Sequence, residues 1–176
     1  MKFADIPQFV RDGSWECDFS LVEAVKFIRE AIERDGLDID PDFQRGHVWT
    51  TQQQINWIEF YLQGGRTGKT IYLNHPTWQK SYKIKKGEFV LVDGKQRYNA
   101  LERFLNNEIK VFGHFFNQYE DRPSICNGTN LKININTLKT RKEVLQWYLG
   151  FNFCGTPHTE EELDRVRELL RKETNE

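Results

Sequence analysis

EFVLVDGKQRYNALERFL, residues Glu88 to Leu105, sets a run suited to a buried strand, Phe89 to Asp93, directly against Gly94 and an amphipathic helix. A carboxylate, a glycine and several donors therefore share one strand-to-helix corner. The first N–H groups of a helix lack partners within it and carry partial positive charge, so an anion placed there gains aligned donors. Lys95, Gln96 and Arg97 add side-chain donors, and the Arg97 guanidinium can offer phosphate a planar fork. A plainer reading is also available: Asp-Gly starts a helix well, and Lys, Gln and Arg are good helix formers that can simply face water. On this stretch alone both readings stand.

Working outward, Tyr98, Leu101, Phe104 and Leu105 form the apolar stripe of the corner helix, which Asn106-Asn107 ends. Upstream, Tyr82 to Ile84 is expected to pair with Phe89 to Val92 across the turn Lys85-Lys86-Gly87, and Ile71 to Leu73 reads as a further strand. Thr50 with Gln53 and Ser20 with Glu23 are capping boxes; the helices they open carry Ile55, Ile58, Leu62 and Leu21, Val25, Ile28, Ile32. Leu37 to Ile39 suits a short strand, followed by the turn-rich PDFQRGHVW, which holds Gln44, Arg45 and Trp49. The residues before Ser20 read as irregular.

Downstream, Ile109 to Phe112 reads as a short strand, and Gly113 to Asn130 receives no element. Leu131, Ile133 and Ile135 alternate with Lys132 and Asn134, as in a strand wet on one side. Thr140 with Glu143 opens a helix ending at Gly150. Thr159 with Glu162 opens the last, about residues 159–172, whose Leu163, Val166 and Leu170 dock it on the body.

The bulk properties narrow the class. A chain of 176 residues with 38% hydrophobic residues, 13 Phe, 6 Tyr and 5 Trp reads as one folded domain, 1–176. Lys plus Arg (25) nearly balances Asp plus Glu (26), unlike a domain that lives on non-specific nucleic-acid binding. Cys17, Cys126 and Cys154 form no metal-binding array with the histidines, and no membrane span or signal peptide is read, so a cytoplasmic protein is expected. Gly64 to Thr70, GGRTGKT, imitates a P-loop, but its spacing is one residue short. Its expected context, helix before and strand after, is also reversed.

Asp93, Gly94, Gln96 and Arg97, with Lys95 between, match the DGQQR signature. Gly94, Arg97 and Ala100 fit a G-x-x-R-x-x-A skeleton, Gln44-Arg45 and Val48-Trp49 fit an upstream Q-R and V-W pair, and Asn152, Gly155, Glu162 and Leu163 fit a downstream tail. In these motifs the chain resembles the ParB/sulfiredoxin-like superfamily, and within it the DGQQR branch that forms the N-terminal domain of GmrSD-type restriction enzymes. The resemblance implies an α+β fold, a small mixed sheet flanked by helices, with a motif-bearing core over about residues 37–163. It implies a nucleotide (NTP) bound at the corner, with NTP hydrolysis in restriction members. By position, Gly94, Lys95, Arg97, Gln44 and Arg45 would bind phosphate, and Asp93 would hold Mg²⁺ or orient water. Gln96 would position water or phosphate. DNA, and a nuclease or other defence protein acting in trans, are the implied partners, because no nuclease residue set is present in these residues. A non-catalytic DNA- or protein-binding module of the same fold is the alternative.

Overall fold

The structure is a computed structural model that describes Ile6 and residues 14–44, 46, 49–78, 85–121, 130–151 and 159–175. Its centre is a mixed sheet of β1 (Ser14–Phe19), β2 (Thr70–Asn74), β3 (Val90–Asp93) and β4 (Leu131–Asn136). The spatial order is β1-β4-β2-β3, with β4 and β2 parallel and both outer pairings antiparallel. Helices α1 (Leu21–Asp35), α2 (Thr51–Leu62) and α3 (Lys95–Leu105) build the core on one face. Helices α4 (Arg141–Phe151) and α5 (Glu160–Asn175) lie over part of the other. This is the expected α+β domain.

The period of the strands explains the two layers. Ile71, Leu73 and Leu91 face the α1–α3 core, while Tyr72, Val90 and Val92 face α4 and α5, so β2 and β3 are covered on both sides. In β1 and β4, Trp15, Phe19, Leu131, Ile133 and Ile135 join the first core. Their alternate positions instead hold polar side chains: Glu16 Oε2 receives Lys132 Nζ at 3.0 Å, and Glu16 Oε1 receives the Asn134 amide at 2.8 Å. The strand expected to be wet on one side is so at Lys132. Asn134 is nonetheless buried, within a polar cluster.

Caps set the helix starts as anticipated. The hydroxyls of Ser20, Thr50, Thr140 and Thr159 accept from the amides three residues on. Four expectations change or fall outside. β1 lies where an irregular opening was read, although Trp15, Cys17 and Phe19 alternating with Glu16 and Asp18 carry the signal. The strand expected at Ile109 to Phe112 is a tight turn, because Val111 and His114 exchange backbone bonds of 2.9 and 3.0 Å around Phe112 and Gly113, both at positive φ. Tyr82 to Ile84 lies outside the described residues. Leu37 to Ile39 contributes a single bridge, Asp38 to Val90, along the outer edge of β3.

Candidate functional site

The corner forms where β3 runs into α3. A register shift in the β2–β3 pair sets Asp93, not Val92, opposite Tyr72, taking Asp93 out of strict alternation. Bulges of this kind re-aim side chains at the ends of strands. Gly94 follows at φ 107°, and a Cβ there would lie 3.0 Å from Ile71 Cγ1, 3.1 Å from the Ile71 backbone and 3.1 Å from Arg97 Nη1. Both the conformation and the tight space therefore favour glycine, and any side chain there would be strained. α3 begins without a side-chain cap, unlike the four helices opened by Ser or Thr, and has no acidic residue in its first turn.

Each charged group at the corner has a partner of opposite sign. Arg97 directs Nη1 and Nη2 at one carboxylate oxygen, Asp93 Oδ2, at 3.1 and 3.0 Å, and Nη1 also donates to Thr70 O. Asp93 Oδ1 stays outside this fork. Lys95 is buried and its ammonium reaches Asp40, whose side chain is 70% exposed. Two cations matched by two carboxylates leave the corner close to neutral. An anionic ligand gains there only by displacing a carboxylate or by arriving with its own cation.

The glutamines are placed differently from the expectation. Gln44 is buried and its amide donates to Leu91 O at 3.0 Å and Val92 O at 2.7 Å, covering backbone acceptors of the edge strand β3. Gln96 donates to Gly46 O at 3.1 Å and accepts from Trp49 N at 3.3 Å, clamping the connection before α2 onto the start of α3. Arg45 lies outside the described residues, as do Asn152 and Gly155. Asp93, Gly94, Lys95, Gln96 and Arg97 thus share one corner, with Gln44 behind it along β3. Sequence reasoning missed Asp40 and the Thr70 carbonyl. Asp40 directly precedes the turn-rich passage and carries no motif signal, and its partner is 55 positions away.

The GGRTGKT stretch joins α2 to β2, the order opposite to a P-loop, and Gly68 O accepts the Trp57 indole N–H at 3.2 Å. Among the described residues no group of three or more His, Cys, Asp or Glu could hold a metal ion. Asp93, 36% exposed, offers hard oxygen donors from a single side chain. That suits an ion such as Mg²⁺, which keeps waters and phosphate oxygens in its shell, and does not suit a metal cage built from protein alone. No helix among the described residues is long and apolar enough to cross a membrane.

No curated protein and no solved structure matches the chain. The family model described as GmrSD restriction endonuclease, N-terminal domain, matches residues 26–174, from α1 to the end of α5 and across the whole corner. By that match the chain belongs to the family of GmrSD restriction endonuclease N-terminal domains.

Proposed function

We propose that this restriction-family domain binds a nucleoside triphosphate with Mg²⁺ at the β3–α3 corner and hydrolyses it slowly, serving a restriction or phage-defence system in which a nuclease in trans cuts DNA. The observation that carries the reading is the start of α3. It is the helix opened by a glycine at which any side chain would be strained, without a side-chain cap, and it carries Lys95 and Arg97 in its first turn. Backbone N–H groups at such a start are oriented for phosphate. Asp93 Oδ1, outside the Arg97 fork, would hold the ion, which when bound would neutralise phosphate charge and polarise a phosphoryl oxygen. Lys95 and Arg97 would exchange Asp40 and Asp93 for phosphate oxygens. Gln96 acts in this reading as a positioning residue for the Gly46 to Trp49 connection.

The test is calorimetry with a panel of ribonucleoside triphosphates and Mg²⁺. Wild type should bind, Arg97→Ala should lose binding while melting as a folded protein, and Asp93→Asn should retain binding and lose Mg²⁺-dependent hydrolysis. Absence of affinity for every triphosphate overturns the proposal. DNA retardation by the nucleotide-free protein would instead favour the interaction module.

A further inference from the structure

Beside the corner stands an aromatic pair that neither apolar core uses fully. The Trp49 ring lies 6.0 Å from the Trp57 ring, and Trp57 stacks on Tyr61 at 5.7 Å with an interplanar angle of 19°. Tyr61 is fully buried and Trp57 packs against the first core, but Trp49 is half-buried and belongs to neither apolar cluster of the described residues. A tryptophan side chain is large enough that it normally joins a core. Trp49 is held another way: its backbone N–H donates to Gln96, the second residue of α3. Arg97, the next residue, reaches the Thr70 carbonyl at the start of β2. Trp57 and Tyr61 are held by the residues just before Thr70, through the indole bond to Gly68 and Lys69 Nζ, 5.5 Å over the Tyr61 ring. Consecutive residues of the corner thus bond to Trp49 and to Thr70, the residue that follows the connection whose Gly68 holds the Trp57 indole.

We propose that Trp49, backed by Trp57, is the stacking platform for the base of the nucleotide whose phosphates occupy the corner. This rests on the phosphate reading above. A flat, electron-rich face next to a phosphate site suits a nucleobase, since every base offers a π-face and stacking does not depend on its hydrogen-bonding edge. The platform fits one base only. Among the described residues, the ring behind Trp57 in this stack is the fully buried Tyr61, so the stack itself presents a single free end. The occupant is a mononucleotide, and the platform distinguishes it from inorganic phosphate chains without choosing sharply among bases.

The experiment compares ATP with inorganic tripolyphosphate, each with Mg²⁺, by calorimetry and tryptophan fluorescence on wild type, Trp49→Leu and Trp49→Phe. Wild type should bind both, ATP more tightly, with emission quenched by ATP and not by tripolyphosphate. Trp49→Leu should weaken ATP by about five- to a hundredfold, the range of one base–aromatic stack, and leave tripolyphosphate within about twofold. Trp49→Phe should recover part of the ATP affinity, which a merely structural role for the indole would not produce. Equal loss for both ligands in Trp49→Leu, or no loss for ATP, overturns the platform while the corner stands. Failure of wild type to bind either ligand overturns the corner, and the platform with it.

Discussion

The two halves of the sheet treat charge differently. In the β2–β3 half, helices cover both faces, and the carboxylate at its end, Asp93, is held by Arg97, whose side chain is 19% exposed and also donates to a backbone carbonyl. In the β1–β4 half one face is polar, and Glu16 is met there by Lys132, 39% exposed, and by Asn134. Each half contains a carboxylate and a cation at about 3 Å. Only the first is built into a strand end, a tight glycine turn and a helix start, where displacing one charge must be answered by another. The difference locates the candidate chemistry where the sheet is closed on both sides. At the wet end, water can replace any lost partner.

Mutations across the two halves should expose this contrast. Leu91→Ala, deleting a fully buried side chain from the α1–α3 core, should cost about 2–5 kcal/mol in denaturant unfolding. Val92→Ala, the neighbouring residue in the α4–α5 cluster, should cost about 2 kcal/mol. Lys132→Ala on the polar face should leave stability almost unchanged. If Val92→Ala were as silent as Lys132→Ala, the α4–α5 layer would not be packed against β3 and the comparison would collapse. Gly94→Ala should follow at about 1–3 kcal/mol, because the new Cβ meets the Ile71 backbone at 3.1 Å in a left-handed conformation. It should also weaken nucleotide binding, since Arg97 Nη1 is equally close. Gln44→Leu should cost about 1–3 kcal/mol by taking the buried donor from Leu91 O and Val92 O, with increased aggregation from the uncovered edge measurable by light scattering.

Legibility in the sequence followed the range of the interaction. Caps at Ser20, Thr50, Thr140 and Thr159 are contacts across three residues; all four hydroxyls cap as read, with the return bond of the capping box present at Thr50, Thr140 and Thr159. The apolar run at Phe89 to Val92 announced a buried strand, though not which helices would cover each face, because a continuous run does not say which element lies on which side. Ile109 to Phe112 misled: Ile109 and Val111 are buried as strand residues would be, but positive φ at Phe112 and Gly113 turns the chain. At the corner, the order Asp93, Gly94, Lys95, Gln96, Arg97 pointed to a helix start. The partners of those residues did not follow from it. Asp40, Thr70, Gly46 and Trp49 reach the corner only through the tertiary fold, and no local spacing encodes them.

The smallest expected effect is the most direct probe of the wet face. Hydrogen bonds from Lys132 and then Asn134 hold the Glu16 carboxyl below its ordinary 4.5, against a weaker opposing effect of burial. The folded protein therefore holds that proton less readily than the unfolded chain. The stability this contributes is present above pH 4.5 and is lost as pH falls through the folded value. Glu16→Gln removes the charge and keeps an oxygen for the Asn134 amide, so it isolates the ionic part. Its melting temperature should lie slightly below wild type near neutral pH. The gap should narrow with added salt, as expected for a solvent-exposed pair, and close as pH is lowered past 4.5. A gap that persists at low pH and high salt would mean that Glu16 is held by packing more than by charge. The outer face of β1 and β4 would then be as closed as that of β2 and β3, and Asn134, already buried there, would be the first sign of a second polar site on the sheet.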